Sequence, residues 1–165
     1  MKKIWLSIIL LLALGSVCVA AEIKVEAPAD CKHCGMDRTI FGHSRMVVTY
    51  ADGSSTGTCS INCVVLDLKE FKGKEVKSFQ VGDYNSKKLI DARTASWVIG
   101  GKKKGVMTPV AKWAFVDKKT AATFSKENGG QLATFDDALK AAEKELAEND
   151  QHKGHDHNGH GEQKL

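Results

Sequence analysis

The chain has 165 residues with 24 basic and 20 acidic side chains; Lys2 and Lys3 lie in an apolar leader without acids, so the remainder is nearly neutral at 22 against 20. No basic stripe interleaved with aromatics remains, which excludes nucleic acid as a partner. About 120 residues separate the leader from a polar C-terminus, enough for one domain or two tightly joined subdomains, and with aromatics at 7 % a bound metal or covalent bridge would add noticeably to stability.

Met1-Lys2-Lys3 precedes an almost unbroken apolar run from Ile4 to Leu14, followed by Gly15, Ser16 and small residues near Ala20 and Ala21. That pattern predicts a secretory signal peptide over 1–21, too short in its apolar part for a membrane span. Cleavage after Ala20 or after Ala21 removes Cys18. A lipoprotein anchored at Cys18 is the alternative, but Val17 stands where a lipobox needs Gly, Ala or Ser. The expected product is soluble and periplasmic or otherwise exported, without a membrane anchor.

Beyond Pro28 and the cysteine segment, Arg45 to Tyr50 reads as a strand, Ala51-Asp52-Gly53 as a hairpin turn and Ser54 to Thr58 as the returning strand. Ile61, Val64, Val65, Leu68 and Phe71 then recur at helical spacing, with Ser60 or Thr58 as N-cap and Gly73 as stop. Glu75 to Val81 is a third strand. The order then repeats: Lys88 to Ala92 as a strand, Trp113 to Val116 as its partner, a helix over Lys118 to Glu127 stopped by Asn128-Gly129-Gly130, and a short strand over Gln131 to Thr134. Phe135 to Leu146 is a closing helix capped by Asp136 or Thr134. Arg93 to Lys112 is left as a long, functional or mobile connection.

Two strand-strand-helix-strand (ββαβ) units in succession predict an α+β fold with internal pseudo-symmetry: one compact domain over 22–148, with halves of about 31–84 and 85–148. Residues 149–165 read as a disordered, histidine-rich tail.

Four cysteines survive processing: Cys31 and Cys34 in a C-x-x-C, and Cys59 and Cys63 four apart at the start of the first helix. A tight turn through Gly35 brings the first pair to one side, and helical spacing does so for the second. Disulfides suit an exported protein. A closed four-thiolate zinc site also fits the spacing, although such knuckles are usual in reducing compartments. Copper(I) suits the neighbours better, being soft and content with thiolate and thioether at low coordination number.

Met36 follows Cys34-Gly35, and Met107 lies among Gly, Lys, Thr and Pro, a poor setting for a core residue. The primary metal set is therefore Cys31, Cys34, Met36 and Met107. Cys59 and Cys63 either join them as secondary ligands or form a bridge. His33 is a ligand or tunes the thiols electrostatically. His43 reads as a solvated loop residue and Met46 as core. In the tail, His152, His155, His157 and His160 make a loose secondary metal reservoir or an inert solubilising segment.

No paired carboxylates, nucleophile with base or phosphate loop is evident, so no enzyme is expected. The competing enzyme class is a thiol-disulfide oxidoreductase using Cys31 and Cys34. A thioredoxin-like fold would place that motif at a helix N-terminus, whereas here it follows a proline-containing lead. A structural zinc or disulfide-stabilised binding domain is the third reading.

The sequence resembles the NosL family, exported accessory proteins that deliver copper(I) for the copper-sulfide centre of nitrous oxide reductase. The likeness is carried by Cys31-x-x-Cys34-Gly35-Met36, the Asp52-Gly53 hairpin, Asp83-Tyr84, Ile90-Asp91-Ala92, Met107 before Pro109, Ala114-Phe115 and Gly129-Gly130 before a final helix. The resemblance implies a metallochaperone with copper on Cys34 and Met36, Cys31 and Met107 as the next ligands, and a pair of related ββαβ units. Its partner would be a recipient copper enzyme or its maturation machinery, nitrous oxide reductase or another periplasmic enzyme. Cys59, Cys63 and the histidine tail go beyond the family pattern.

Overall fold

β1 (Met46–Tyr50) turns through Asp52-Gly53 into β2 (Ser55–Thr58), and the turn is fixed by the Asp52 carboxylate accepting from the Ser54 backbone N–H at 2.9 Å. The structure is a computed structural model and describes residues 25–155. The leader, Cys18, the cleavage positions, His157 and His160 lie outside the described residues.

β1 alternates so that Met46, Val48 and Tyr50 face one side, opposite Val81, Phe79 and Val76 of β3 (Val76–Gly82). Helix α1 (Ile61–Glu70) covers this apolar face with Ile61, Val64 and Val65. β4 (Leu89–Asp91) completes a four-stranded antiparallel sheet in the order β2-β1-β3-β4.

β4 is a correction to the expected pairing, because it joins β3 and not the strand near Trp113. The reason is local: Asp83 N–H donates to the Lys88 carbonyl at 2.8 Å and its carboxylate accepts from Ser86 N–H at 2.7 Å, so Gly82 to Lys88 is a tight reverse turn. The first sheet thus extends to Asp91, past the expected division at 84/85.

The second sheet is built on β5 (Ser96–Ile99), inside the segment expected to be a long connection. β5 lies between β6 (Lys112–Phe115) and β7 (Gln131–Ala133), all antiparallel, in the order β6-β5-β7. The central-strand arrangement β2-β1-β3 is therefore repeated as β6-β5-β7, and the internal pseudo-symmetry holds with β5 in the role expected of β4. Helix α2 (Lys118–Asn128) starts at Asp117, whose carboxylate accepts from Thr120 N–H at 2.8 Å. It stops at Gly129 and Gly130, both at positive φ.

Helix α3 (Phe135–His155) opens on a reciprocal cap between Thr134 and Asp137 and continues beyond the expected end at Leu146. By backbone position His152 and His155 lie in its last turns. Among the described residues no helix is long and apolar enough to cross a membrane.

Two apolar clusters result. One joins the first sheet, α1 and α3 with Trp97 and Phe135. The other joins β5, β6 and α2 with the cysteine segments. The halves are tied by Asp83, whose backbone bridges to Ala114 and whose carboxylate accepts from Val116 N–H at 2.9 Å.

A buried ion pair locks the remaining connection. Glu145 of α3 accepts from Lys112 Nζ and from Asn62 Nδ2, both at 3.0 Å, and from the Thr108 hydroxyl. Burial pushes the Glu145 carboxyl up, but those donors outweigh it and the pKa falls below its ordinary value. A depressed carboxyl contributes stability that is complete above the unfolded-state value and is lost as pH drops through the folded one. Glu145→Gln is accordingly expected to lower the unfolding temperature at pH 7 and to lose less than the parent on further acidification. Equal shifts at neutral and acid pH would contradict this role for the carboxylate.

Candidate metal centre

The Cys31 to Met36 segment is a closed backbone knuckle. Gly35 N–H donates to the Cys31 carbonyl and Cys31 N–H to the Met36 carbonyl, each at 2.9 Å. Gly35 sits at φ 71°, a left-handed conformation that a β-carbon would disfavour, which explains the glycine after the second cysteine. Cys59 precedes Ser60, the N-cap of α1, and Cys63 lies in that helix's first turn. The Ser44 hydroxyl fixes the Cys59 carbonyl at 2.8 Å.

Arg38 holds the two segments together. Its side chain is fully buried and donates to the carbonyls of Glu26, Pro28, Met46 and Thr58 and to the Glu26 carboxylate. The guanidinium occupies the space a β-carbon on residue 57 would need, so Gly57 is required for the approach.

Four thiols converge. The Sγ of Cys31, Cys34, Cys59 and Cys63 all lie within 4.8 Å of one another, and all four cysteines are free thiols. Cys34 to Cys59 is 3.4 Å, Cys59 to Cys63 3.8 Å and Cys63 to Cys34 3.9 Å. Four thiolates around one metal at ordinary zinc–sulfur distances stand about 3.8 Å apart, so the cluster is of ligand-set size. Cys31, Cys59 and Cys63 are buried, whereas Cys34 is only partly so.

Crowding and burial shift three of the thiols in opposite directions. Hydrogen bonding from Cys63, with further help from Cys34, pulls Cys59 down to about 6 against the cost of burial. Burial, reinforced by Cys59, pushes Cys34 up to about 12, and the bond to Cys59 together with burial pushes Cys63 up as well. The first turn of α1 carries no acidic residue, and Cys63 lies in that positive end of the helix.

Met36 is half-buried and packs with the cysteines in the second apolar cluster. Met107 is 51 % exposed at φ 59°, and it is its neighbour Val106 that packs into that cluster. His33 turns away from the thiols: its Nε2 is 3.1 Å from the buried Asp67 carboxylate and its Nδ1 3.9 Å from Glu70. These three residues form a second group able to hold a cation. Lys32 Nζ already stands there, 3.0 Å from Glu70 and 3.4 Å from Asp67.

His43 corrects a sequence expectation. It is half-buried among Phe41, Tyr84 and Trp113, with ring centroids 5.3 Å apart for the Trp113 pair, so it is not a solvated loop residue. Burial, and to a lesser degree Lys87, holds its pKa below the usual imidazole value. Met46 is fully buried as expected. Asp67, Tyr50 and Arg38 had not been singled out in the sequence. Asp67 offered one signal, standing four residues after Cys63 and therefore on the same helical face.

A comparison with curated proteins found no match. Among solved structures, the crystal structure of the copper chaperone NosL from Shewanella denitrificans matches with a TM-score of 0.54 and 24 % identity, covering 68 % of this chain and 91 % of that one. That likeness shows a shared fold. The NosL family model matches residues 22–142, most of the chain, and the chain belongs to the NosL family.

Proposed function

We propose that this protein is an exported, non-catalytic copper(I) metallochaperone that holds the metal on cysteine thiolates beside a methionine thioether and gives it up by ligand exchange. The observation that carries the reading is the convergence of four thiols, with Met36 packed against them, on the knuckle of a NosL-family chain. Thiolate with thioether is the donor set that copper(I) prefers. No bond in a substrate needs to be made or broken, and the recipient withdraws the metal by offering further ligands. A periplasmic copper enzyme or its maturation machinery is the partner this chemistry serves. The copper-sulfide centre of nitrous oxide reductase, and so denitrification, is the case the family suggests. Export rests on the leader at 1–21.

Zinc is the second reading, favoured by the four-thiol set, which matches a closed structural zinc site. Native mass spectrometry of the anaerobically reduced protein, titrated with copper(I) against a competing chelator, separates the two. One tight copper, weakened but not lost in Met36→Ala, is the expected outcome. Zinc retained by four thiols, unexchanged by copper(I) and indifferent to Met36→Ala, would sink the chaperone reading.

A further inference from the structure

Cys59 and Cys63 lie outside the primary ligand set of Cys31, Cys34, Met36 and Met107 expected from the sequence, yet the fold invests in placing them. Helix α1 aims its first turn at the Cys31 knuckle, the Ser44 hydroxyl pins the Cys59 carbonyl, and Arg38 joins the strand end before Cys59 to the lead before Cys31. An apolar core does not need four thiols within 4.8 Å of one another. It would be as well filled by alanine or valine. Burial is also graded across the cluster. Cys59 and Cys63 are 0 % and 1 % exposed and Cys31 3 %, while Cys34 alone reaches the surface, next to Met36.

We infer that Cys59 and Cys63 are ligands of the carried metal, forming with Cys31 a buried three-thiolate seat for copper(I), and that Cys34 is the ligand through which the metal enters and leaves. This rests on the copper reading above. Each thiol that becomes a ligand releases one proton to solvent, and the copper stays monovalent throughout. Three thiolates in a plane satisfy copper(I), which accepts low coordination numbers. The fourth thiol, only partly buried and 3.4 Å from Cys59, can bond to the ion while one of the buried three lets go. Met36, packed against the same cluster, adds a weaker, uncharged ligand beside Cys34. A site limited to Cys34 and Met36 would lie at the surface, whereas the three-thiolate seat shields the ion from adventitious chelators until Cys34 is engaged.

The test is X-ray absorption at the copper edge on the copper(I)-loaded, reduced full chain, with chelator competition on Cys59→Ser/Cys63→Ser and on Cys34→Ser. The wild-type spectrum is expected to require three sulfur neighbours. The double variant should fall to two sulfurs and lose more affinity than the roughly 10–100-fold that loss of an outer-shell partner costs. Cys34→Ser should keep most of the affinity but release copper to the chelator more slowly. Because the wild-type spectrum needs no mutant, a misfolded double variant does not rescue the idea. Two sulfur neighbours in the wild type, or a folded double variant with unchanged affinity, would overturn the inference while leaving the copper reading intact. A wild type that binds no copper(I) would overturn that reading first.

Discussion

Arg38→Met is expected to destabilise the protein by about 3–5 kcal/mol, the usual cost of removing one partner of a buried ion pair. The guanidinium is fully buried and serves four carbonyls together with the Glu26 carboxylate. Methionine fills a similar volume but donates to none of the four carbonyls, and it leaves the Glu26 carboxylate to Arg45 alone. Arg38→Lys keeps the charge but not the fork, and recovers only part of the loss. Since the same side chain spans the backbone before Cys31 and before Cys59, metal affinity should fall along with stability in the fraction that still folds. Urea unfolding of the reduced protein measures the first effect and chelator competition the second. A stability change below about 1 kcal/mol, the range of a surface pair, would show that the lead segment is not held by this residue.

The particular elements show which physical signals are local. β1, β2, α1 and α2 were legible because each combines a periodic apolar pattern with its own punctuation: Asp52-Gly53 for the hairpin, Ser60 before α1, and Gly129-Gly130 after α2. β5 was not, because Trp97-Val98-Ile99 is short and followed by Gly100-Gly101 and three lysines. What makes it a strand is distant. Lys102 N–H bonds to the Asn128 carbonyl at 2.8 Å, and the Gly100-Gly101 pair lies against Gly129-Gly130, where side chains would collide with backbone. β4 failed in its partner although the turn at Asp83 to Ser86 was present in the sequence as a signal. At the site, the C-x-x-C-Gly-Met knuckle was legible from Gly35 and the spacing. That all four thiols can meet was offered by the spacing in the four-thiolate zinc reading, whereas the burial of three of them and the exposure of Cys34 were not, because they depend on α1 docking against the knuckle. His33 was drawn from the thiols by Asp67, a contact 34 residues distant in sequence.

Asp67→Ala should weaken copper(I) binding by about 10–100-fold, although Asp67 touches no thiol, since outer-shell partners cost this much when lost. The carboxylate is buried at 0 % exposure and accepts from the Tyr50 hydroxyl at 2.5 Å, from His33 at 3.1 Å and from Lys32 at 3.4 Å. His33 and Lys32 are the two residues between Cys31 and Cys34, so Asp67 anchors the middle of the knuckle from the helix that carries Cys63. Without it the loop can shift its thiols relative to α1, and a cluster whose sulfurs must meet at one ion tolerates little displacement. Tyr50→Phe separates anchoring from packing. It removes one donor to Asp67 but leaves the contacts to His33 and Lys32, so stability should fall by roughly 1–2 kcal/mol while copper affinity changes little. If Tyr50→Phe and Asp67→Ala reduced affinity equally, the effect would belong to the core beneath the helix and the anchoring role would fall. Lys32→Met supplies the remaining comparison. It releases the ammonium from Asp67 and Glu70, leaves His33 in place, and should retain most of the affinity that Asp67→Ala loses.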